Sequence, residues 1–247
     1  MQSQMNRISE KSLNLIAFQQ SCQSILIIYF KKNSKISSEF LKNTINSMLS
    51  ERKKREFTET IELQIGLRDY NPDKDKRFTG SIKLPNMPYP NKKIAIIGTM
   101  KHCEEAKAAG VACIDTEGLK KFNKEPKLIK KWFKPYDTLL CSETLMKQLP
   151  KLCGNVLSKI GKFPISMTEG ESVVAKVKEL QSTVRFQLKK VVCLATAVAT
   201  DALTEEQIRQ NINMSLNFLV SLLKKGWQNL KTVHIKTTMS KSYRIFG

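Results

Sequence analysis

The chain has 247 residues, with 42 Lys and Arg against 22 Asp and Glu, a formal net charge of +20 and a pI near 9.7. At 41% hydrophobic and 26% charged it excludes a disordered chain and can bury a sizeable core. The charge excludes neutral partners as the first guess and favours phosphate-rich ones, through release of condensed counterions.

The basic excess is spread along the chain rather than confined to a tail. Six cysteines, at positions 22, 103, 113, 141, 153 and 193, include no Cys-x-x-Cys pair, and there are only 2 histidines. No zinc site is expected from that pattern, and reduced thiols in an intracellular protein fit it best. Residues 1–34 hold two apolar patches, 13–18 and 25–30, separated by Gln19-Gln20-Ser21-Cys22-Gln23-Ser24. Neither patch reaches bilayer-spanning length and neither is followed by a small-residue cleavage site. The segment reads as an N-terminal extension without an assigned role, and no membrane partner is expected.

Residues 37–50 place Phe40, Leu41, Ile45, Met48 and Leu49 on a 3.6-residue period, which predicts a helix. Arg52-Lys53-Lys54-Arg55 ends it. Alternation at Ile61, Leu63, Ile65 and Leu67 predicts a strand, and Phe78, Gly80, Ile82 and Leu84 predict a second. Asn71-Pro72-Asp73 between them has turn chemistry, so the two runs read as a hairpin. Pro85-Asn86-Met87-Pro88-Tyr89-Pro90 cannot continue a strand and marks a domain boundary.

The texture then changes. Ile94-Ala95-Ile96-Ile97 is a continuous apolar run, as in a buried parallel strand. A helix at 102–109 closed by Gly110, a strand at 111–114, and a helix from Thr116 to about Phe122 follow. Pro126 suits the first turn of a helix over 127–134. A strand at 138–141 leads to Ser142 as the cap of a helix over 143–149. Alternating short strands and helices over 92–160 predict a three-layer, Rossmann-like α/β domain.

After Gly161-Lys162-Phe163-Pro164, Val173, Val174, Val177 and Leu180 mark an amphipathic helix. Val184, Phe186 and Leu188 alternate as a strand, and residues 191–198 read as a more buried one. Thr204-Glu205-Glu206-Gln207 is a capping box for a long helix with Ile208, Ile212, Leu216, Leu219 and Leu223 on its apolar face. Lys224-Lys225-Gly226 closes that helix. A last strand, 232–235, runs into Lys236-Thr237-Thr238-Met239.

The expected fold class is therefore mixed α/β and α+β in two domains. Residues 35–84 plus 165–247 form a split α+β domain of β-α-β type that binds RNA, and 92–160 form the inserted α/β domain. The hinges are expected at about 85–91 and 161–164, where paired linkers permit bending and limit twist.

Among candidate sites, Gly98-Thr99-Met100-Lys101-His102 sits where a phosphate loop would, but it carries neither G-x-G-x-x-G nor G-x-x-x-x-G-K-[ST]. His102-Cys103 reads as a surface histidine beside a packed cysteine rather than a catalytic dyad. His234 reads as structural. The lysines at 120, 121, 124, 127, 130, 131 and 134 are a solvated face or a phosphate-contacting one. The more specific constellation lies at the two ends of the split domain. Lys53, Lys54 and Arg55 supply charge there. Phe57 is either a core aromatic or a ring that stacks on a base. Thr60 and Glu62 share the outward face of their strand, because side chains alternate. Thr237, Thr238 and Met239 add hydroxyls and a flat apolar contact. No catalytic residue, metal site or cofactor is expected.

Several of these segments resemble the universal large-subunit ribosomal protein L-one family. Phe57-Thr58-Glu59-Thr60-Ile61-Glu62-Leu63 is similar to its N-terminal signature. Its eukaryotic branch, L-ten-a, is resembled by Tyr70-Asn71-Pro72-Asp73-Lys74-Asp75-Lys76-Arg77-Phe78-Thr79-Gly80, His102-Cys103-Glu104-Glu105-Ala106-Lys107, Gly161-Lys162-Phe163-Pro164, Trp227-Gln228-Asn229 and Lys236-Thr237-Thr238-Met239. The resemblance covers about residues 35–247. It implies a two-domain, non-enzymatic protein of the cytosolic large ribosomal subunit. Such a protein binds large-subunit rRNA at the mobile stalk, beside other large-subunit components, and meets exit-site tRNA transiently as it leaves. It also implies that Phe57, Thr60 and Glu62, with Thr232, Thr238 and Met239, form the rRNA-contact face. Two positions depart from the family pattern: Ser240 stands where the family has glycine after Thr-Thr-Met, and Cys153-Gly154-Asn155 where it has Gly-Pro-Gly. An assembly factor or mRNA-binding regulator with the same fold is the alternative. A nucleotide-using enzyme on 92–160 is a third reading, opposed by the missing glycine fingerprint.

Overall fold

The computed structural model describes residues 35–247 except 54, 72, 76, 124 and 169. The expectations for residues 1–34 and for Lys54 and Lys124 therefore lie outside the described residues. The chain divides into two compact units: the described residues up to Gly80 with Arg185–Gly247, and Ser81–Val184.

The first unit begins with α1 (Ser38–Glu51), which buries Leu41, Thr44, Ile45 and Met48 on one face. Strand β1 (Thr60–Leu67) alternates strictly, with Ile61, Leu63, Ile65 and Leu67 buried. It lies between β8 (Cys193–Thr200) and β9 (Leu230–Thr237), antiparallel to both, and β10 (Tyr243–Phe246) extends the sheet beyond β9. In register, Ile61 faces Thr237, Leu63 faces Ile235 and Ile65 faces Val233. One face of the sheet is thereby apolar. Helix α9 (Glu205–Leu222) covers it with Ile208, Ile212, Leu216 and Leu219, all essentially inaccessible to water. Burying such a side chain contributes about 1.5–3 kcal/mol. The capping box forms as expected: the Thr204 hydroxyl accepts the Gln207 N–H, and the Gln207 side chain accepts the Thr204 N–H.

Three local expectations fail in this unit. The run after the Asn71 turn, β2 (Thr79–Lys83), does not pair with β1 as a hairpin. It forms a separate two-stranded sheet with β7 (Thr183–Gln187). The Leu188 N–H donates to the Phe78 carbonyl at 3.1 Å, and the Leu84 N–H to the Ser182 carbonyl at 2.9 Å. Both edges of β1 are taken by β8 and β9, so β1 has no edge left on which β2 could close a hairpin. Strand β8 begins exposed, with Val191 and Val192 outside it at 56% and 39%. Finally, α9 ends at Leu222, before the lysines expected in its last turn.

The second unit holds a parallel sheet in the order β4 (Ala112–Ile114), β3 (Ile94–Ile97), β5 (Thr138–Ser142), β6 (Ile165–Met167). All four residues of β3 are buried, because helices cover both faces. On one side Ala95, Ile97, Leu139 and Cys141 pack with Leu119, Ile129 and Phe133, from α3 (Thr116–Lys120) and α4 (Pro126–Phe133). On the other, Ile94, Ile96, Leu140 and Met167 pack with Ala106 of α2 (Met100–Ala108) and with Val173 and Leu180 of α8 (Val173–Ser182). The expected split domain, 35–84 plus 165–247, includes the segment that forms β6 and α8. Its apolar residues lie instead in this core, and the stretch 161–164 falls inside the unit.

Between β5 and β6 the chain makes three short helices, α5 (Glu143–Met146), α6 (Leu149–Cys153) and α7 (Val156–Ile160), where one helix over 143–149 is expected. Pro150 lies in the first turn of α6. The Lys162 ammonium donates to the carbonyls of Phe133, at 3.2 Å, Lys134, at 2.8 Å, and Tyr136, closing the C-terminal end of α4. The cap of α3 is Asp115, whose carboxylate accepts the Thr116 N–H, rather than Thr116.

Candidate nucleic-acid interface

The face of the antiparallel sheet opposite the helices carries the polar half of each alternation. Strand β1 contributes Thr60, Glu62, Gln64 and Gly66, and β9 contributes Thr232, His234 and Lys236. Register sets Glu62 opposite Lys236 and Gln64 opposite His234, with Arg244 of β10 opposite His234 on the far side. Ala195 and Ala197 of β8 flank Gln64 and Glu62 with small side chains. The result is a half-buried surface of hydroxyl, amide, imidazole and cationic groups. Gln64, His234, Lys236 and Arg244 were not among the expected site residues. The strand expected over 232–235 runs over 230–237, and its alternation sets His234, which reads as structural in the sequence, and Lys236 on the open face, whereas β10 carries too short a pattern to read.

At one end of this face the two halves of the split unit are tied by hydroxyls. The Thr238 Oγ1 accepts the Thr60 N–H at 3.1 Å, lies 3.0 Å from the Thr60 hydroxyl, and is 3.3 Å from the Thr60 carbonyl, to which it donates. Phe57 precedes this junction and is 51% exposed, and Met239 follows it and is 60% exposed. Of the two readings of Phe57, the core aromatic is thus excluded. Two large apolar side chains thus stand in water within three residues, along the chain, of the hydroxyl cluster.

Thr237 does not belong to that surface. Its side chain is fully buried and its hydroxyl donates to Ser240 Oγ at 2.8 Å, because its strand position faces the core opposite Ile61. Ser240 Oγ also accepts the Thr237 N–H at 3.4 Å and donates to the Lys241 carbonyl at 3.2 Å. Among the described non-glycine residues only Asp69 and Asn123 have positive φ, so Ser240 keeps an ordinary backbone and closes the turn with its hydroxyl. Beyond it, Lys241 and the Tyr243 hydroxyl both hold the Glu51 carboxylate, the latter at 2.8 Å, and Lys241 keeps that carboxyl below its usual range.

The basic cluster is partly consumed within the fold. Arg52 pairs with Asp201 at 2.7 Å, each about four-fifths covered. Arg55 lies 3.4 Å from the buried Glu59 carboxylate while staying exposed. Lys53 is exposed. Thr232 shares the open face, but it sits opposite Gly66, about 20 Å along the sheet from Thr238. A Cβ on Gly66 would come within 2.9 Å of Thr232 Oγ1, so glycine is what permits this approach. Thr60 and Thr238 are thus brought into contact, with exposed Phe57 and Met239 close to them in the chain and Glu62 on the same face of β1 as Thr60, whereas Thr232 lies far off.

The second unit offers no comparable constellation at Gly98. That glycine is buried, and a Cβ there would lie 2.8 Å from the His102 Cβ. His102 itself is 3% exposed rather than on the surface, with Nδ1 2.7 Å from the Ser142 hydroxyl. Ser142 therefore ties β5 to α2 instead of capping α5 through its side chain.

Residues 49–241 match the model of the Ribosomal protein L1p/L10e family. Large ribosomal subunit protein uL1 of Oryza sativa subsp. japonica is 52% identical over 215 residues, which cover 86% of this chain and 100% of that protein. Large ribosomal subunit protein uL1 of Drosophila melanogaster is 49% identical, over 86% of this chain and 99% of its own length. Large ribosomal subunit protein uL1A of Schizosaccharomyces pombe is also 49% identical, over 86% of this chain and all of its own length. With a family match across most of the sequence and relatives covered end to end, the chain belongs to the ribosomal protein L1p/L10e family.

Proposed function

We infer that this protein is a structural, non-catalytic constituent of the cytosolic large ribosomal subunit that binds large-subunit rRNA through the open face of its antiparallel sheet. The observation that carries the reading is the Thr60–Thr238 hydroxyl junction, with two exposed apolar side chains, Phe57 and Met239, close to it in the chain. The relatives matched over their full lengths are named as large ribosomal subunit proteins, which supplies the setting.

In this reading the cations supply affinity and the junction supplies fit. Lys53, Lys54, Arg55, Lys236 and Arg244 neutralise phosphates. Phe57 and Met239 cover base or ribose faces, while Thr60, Thr238 and Glu62 meet 2′-hydroxyls and base edges. The unit containing these residues is the anchor. The inserted α/β unit is the arm that reaches exit-site tRNA as the stalk moves, with flexure where the chain passes between the units.

The test compares a stalk rRNA fragment with an unrelated duplex of equal length. Phe57→Ala and Met239→Ala each weaken stalk binding about tenfold and leave the duplex within twofold, following typical losses for base-stacking side chains. Equal losses on both RNAs would sink the contact face. Sedimentation tests the setting: the protein stays on mature large subunits through a moderate salt wash, and its presence on precursors alone would make it an assembly factor.

A further inference from the structure

A second candidate site lies away from the Thr60–Thr238 junction. The segment after β1 folds back toward the C-terminal end of α9 and leaves an open cleft of about 420 Å³, lined by Tyr70, Arg77, Phe78, Thr79, Leu222 and Lys224. Strand β1 puts about 23 Å between Thr60 and Leu67, and Tyr70 follows three residues beyond its far end, so the two sites cannot hold the same nucleotide. Tyr70 and Phe78 meet edge to face, with centroids 6.2 Å apart at 88°. That contact occupies one ring face of the pair and leaves flat aromatic surface for the cleft.

The rim is held in place before any ligand arrives. The Asp75 N–H donates to the Asn71 carbonyl at 2.7 Å, the Asp73 N–H to Asn71 Oδ1 at 3.1 Å, and the Asn71 N–H to an Asp75 oxygen at 3.0 Å. The other Asp75 oxygen takes the Lys224 ammonium at 2.8 Å, which clamps the loop to the end of α9. Gly80 lets this happen: a Cβ there would meet Leu222 Cδ1 at 2.8 Å and Phe218 Cζ at 3.0 Å. Arg77 and Thr79 are exposed at the mouth, and Lys74 and Lys225 stand exposed beside it. The cleft thus combines aromatic, apolar and cationic lining in Tyr70, Phe78, Leu222, Arg77 and Lys224, on a chain of net charge +20.

We propose that this cleft is a second RNA site, which takes one unstacked base of a single-stranded or bulged segment, with the adjoining phosphate on Arg77. Its chemistry suits that occupant and not a duplex. A base offers a flat π-face to Tyr70 and Phe78 whatever its identity, and it must leave its stack to lay that face on them. The assignment rests on the RNA-binding reading above but uses none of the same residues.

The probe is a uridine octamer RNA, with the full-length protein. Ultraviolet crosslinking and peptide mapping place the adduct on the peptide containing Tyr70 or Phe78. Tyr70→Leu binds the octamer about five- to tenfold more weakly and Tyr70→Phe binds as the parent, in keeping with the contribution of one stacked base. Arg77→Gln, a change at an exposed position, lowers the slope of log affinity against log salt by about 0.7, the loss of one single-strand phosphate. Phe57→Ala against the stalk fragment is run in parallel. If Tyr70→Leu and Arg77→Gln leave octamer binding unchanged while Phe57→Ala loses the stalk fragment, the cleft proposal falls and the ribosomal reading stands. If the cleft variants lose the octamer but Phe57→Ala keeps the stalk fragment, the cleft stands and the contact face falls. An adduct confined to other peptides overturns the cleft whatever the affinities.

Discussion

At the scale of single residues, the hydroxyl of Ser240 carries more than its position in a turn suggests. It accepts from both the backbone and the side chain of Thr237, which has no access to water. Ser240→Ala leaves the Thr237 hydroxyl without that acceptor, and a buried polar group left unpaired costs about 1–3 kcal/mol. Urea unfolding measures this directly. Ser240→Gly, which places the glycine expected from the family resemblance, is expected to lower stability too, because Ser240 does not use positive φ and glycine adds only unfolded-state entropy. A Ser240→Gly variant as stable as the parent would show that the hydroxyl contributes nothing. The cysteines give a second residue-level outcome. Burial pushes the Cys141 thiol up to about 12, and burial with the neighbouring Cys113 pushes Cys103 to about 11. These raised values stabilise the fold fully below the ordinary thiol value of 9.0. That stability is lost as pH rises toward 11–12, since the unfolded chain ionises first. The stability difference between the parent and Cys141→Ala should therefore narrow from pH 8 to pH 11. Iodoacetamide at pH 8 should label exposed Cys193 well before Cys103, Cys141 or Cys153, read by peptide mass spectrometry.

At the scale of elements, the informative case is β2. Its alternation is legible, but its partner is β7 rather than β1. A strand pattern specifies which side chains point the same way. It does not specify which edge is vacant, and β1 had none left once β8 and β9 were in place. Gly80 is the residue through which β2 meets α9. Gly80→Val drives a branched side chain into Leu222 and Phe218, and overpacking of this kind costs about 1–3 kcal/mol. Thermal unfolding should register it as a clear loss, and an unchanged melting temperature would mean that β2 does not hold this position against the helix. The capping box of α9 was fully legible, because all of its partners lie within four residues. The basic cluster after α1 was legible only as charge. That Arg52 is spent on Asp201 depends on a contact across 149 positions.

At the scale of the whole molecule, net charge and surface pattern make separate predictions. With +20 spread over the chain, binding to a stalk rRNA fragment should fall steeply with salt. Neutralising about six phosphates gives a log–log slope near −5, at roughly 0.9 per phosphate on duplex RNA treated like DNA. Phe57→Ala and Met239→Ala should weaken affinity without changing that slope, whereas Lys236→Gln and Arg244→Gln should each reduce it by about one. A slope shallower than −2 would mean that the sheet face binds through few phosphates. The sequence by itself determined the alternation of β1, the buried β3, the ends of α1 and the start of α9, the charge and the candidate residues around Thr60 and Thr238. Each of these rests on a local period, a cap or a composition. Tertiary structure alone decided that Thr237 turns inward, that Thr232 lies far from Thr238, that His102 is buried under Ser142, and that α8 joins the parallel sheet's core. Those outcomes depend on register and on which surfaces remain unoccupied, and both are set by contacts between residues far apart in the chain.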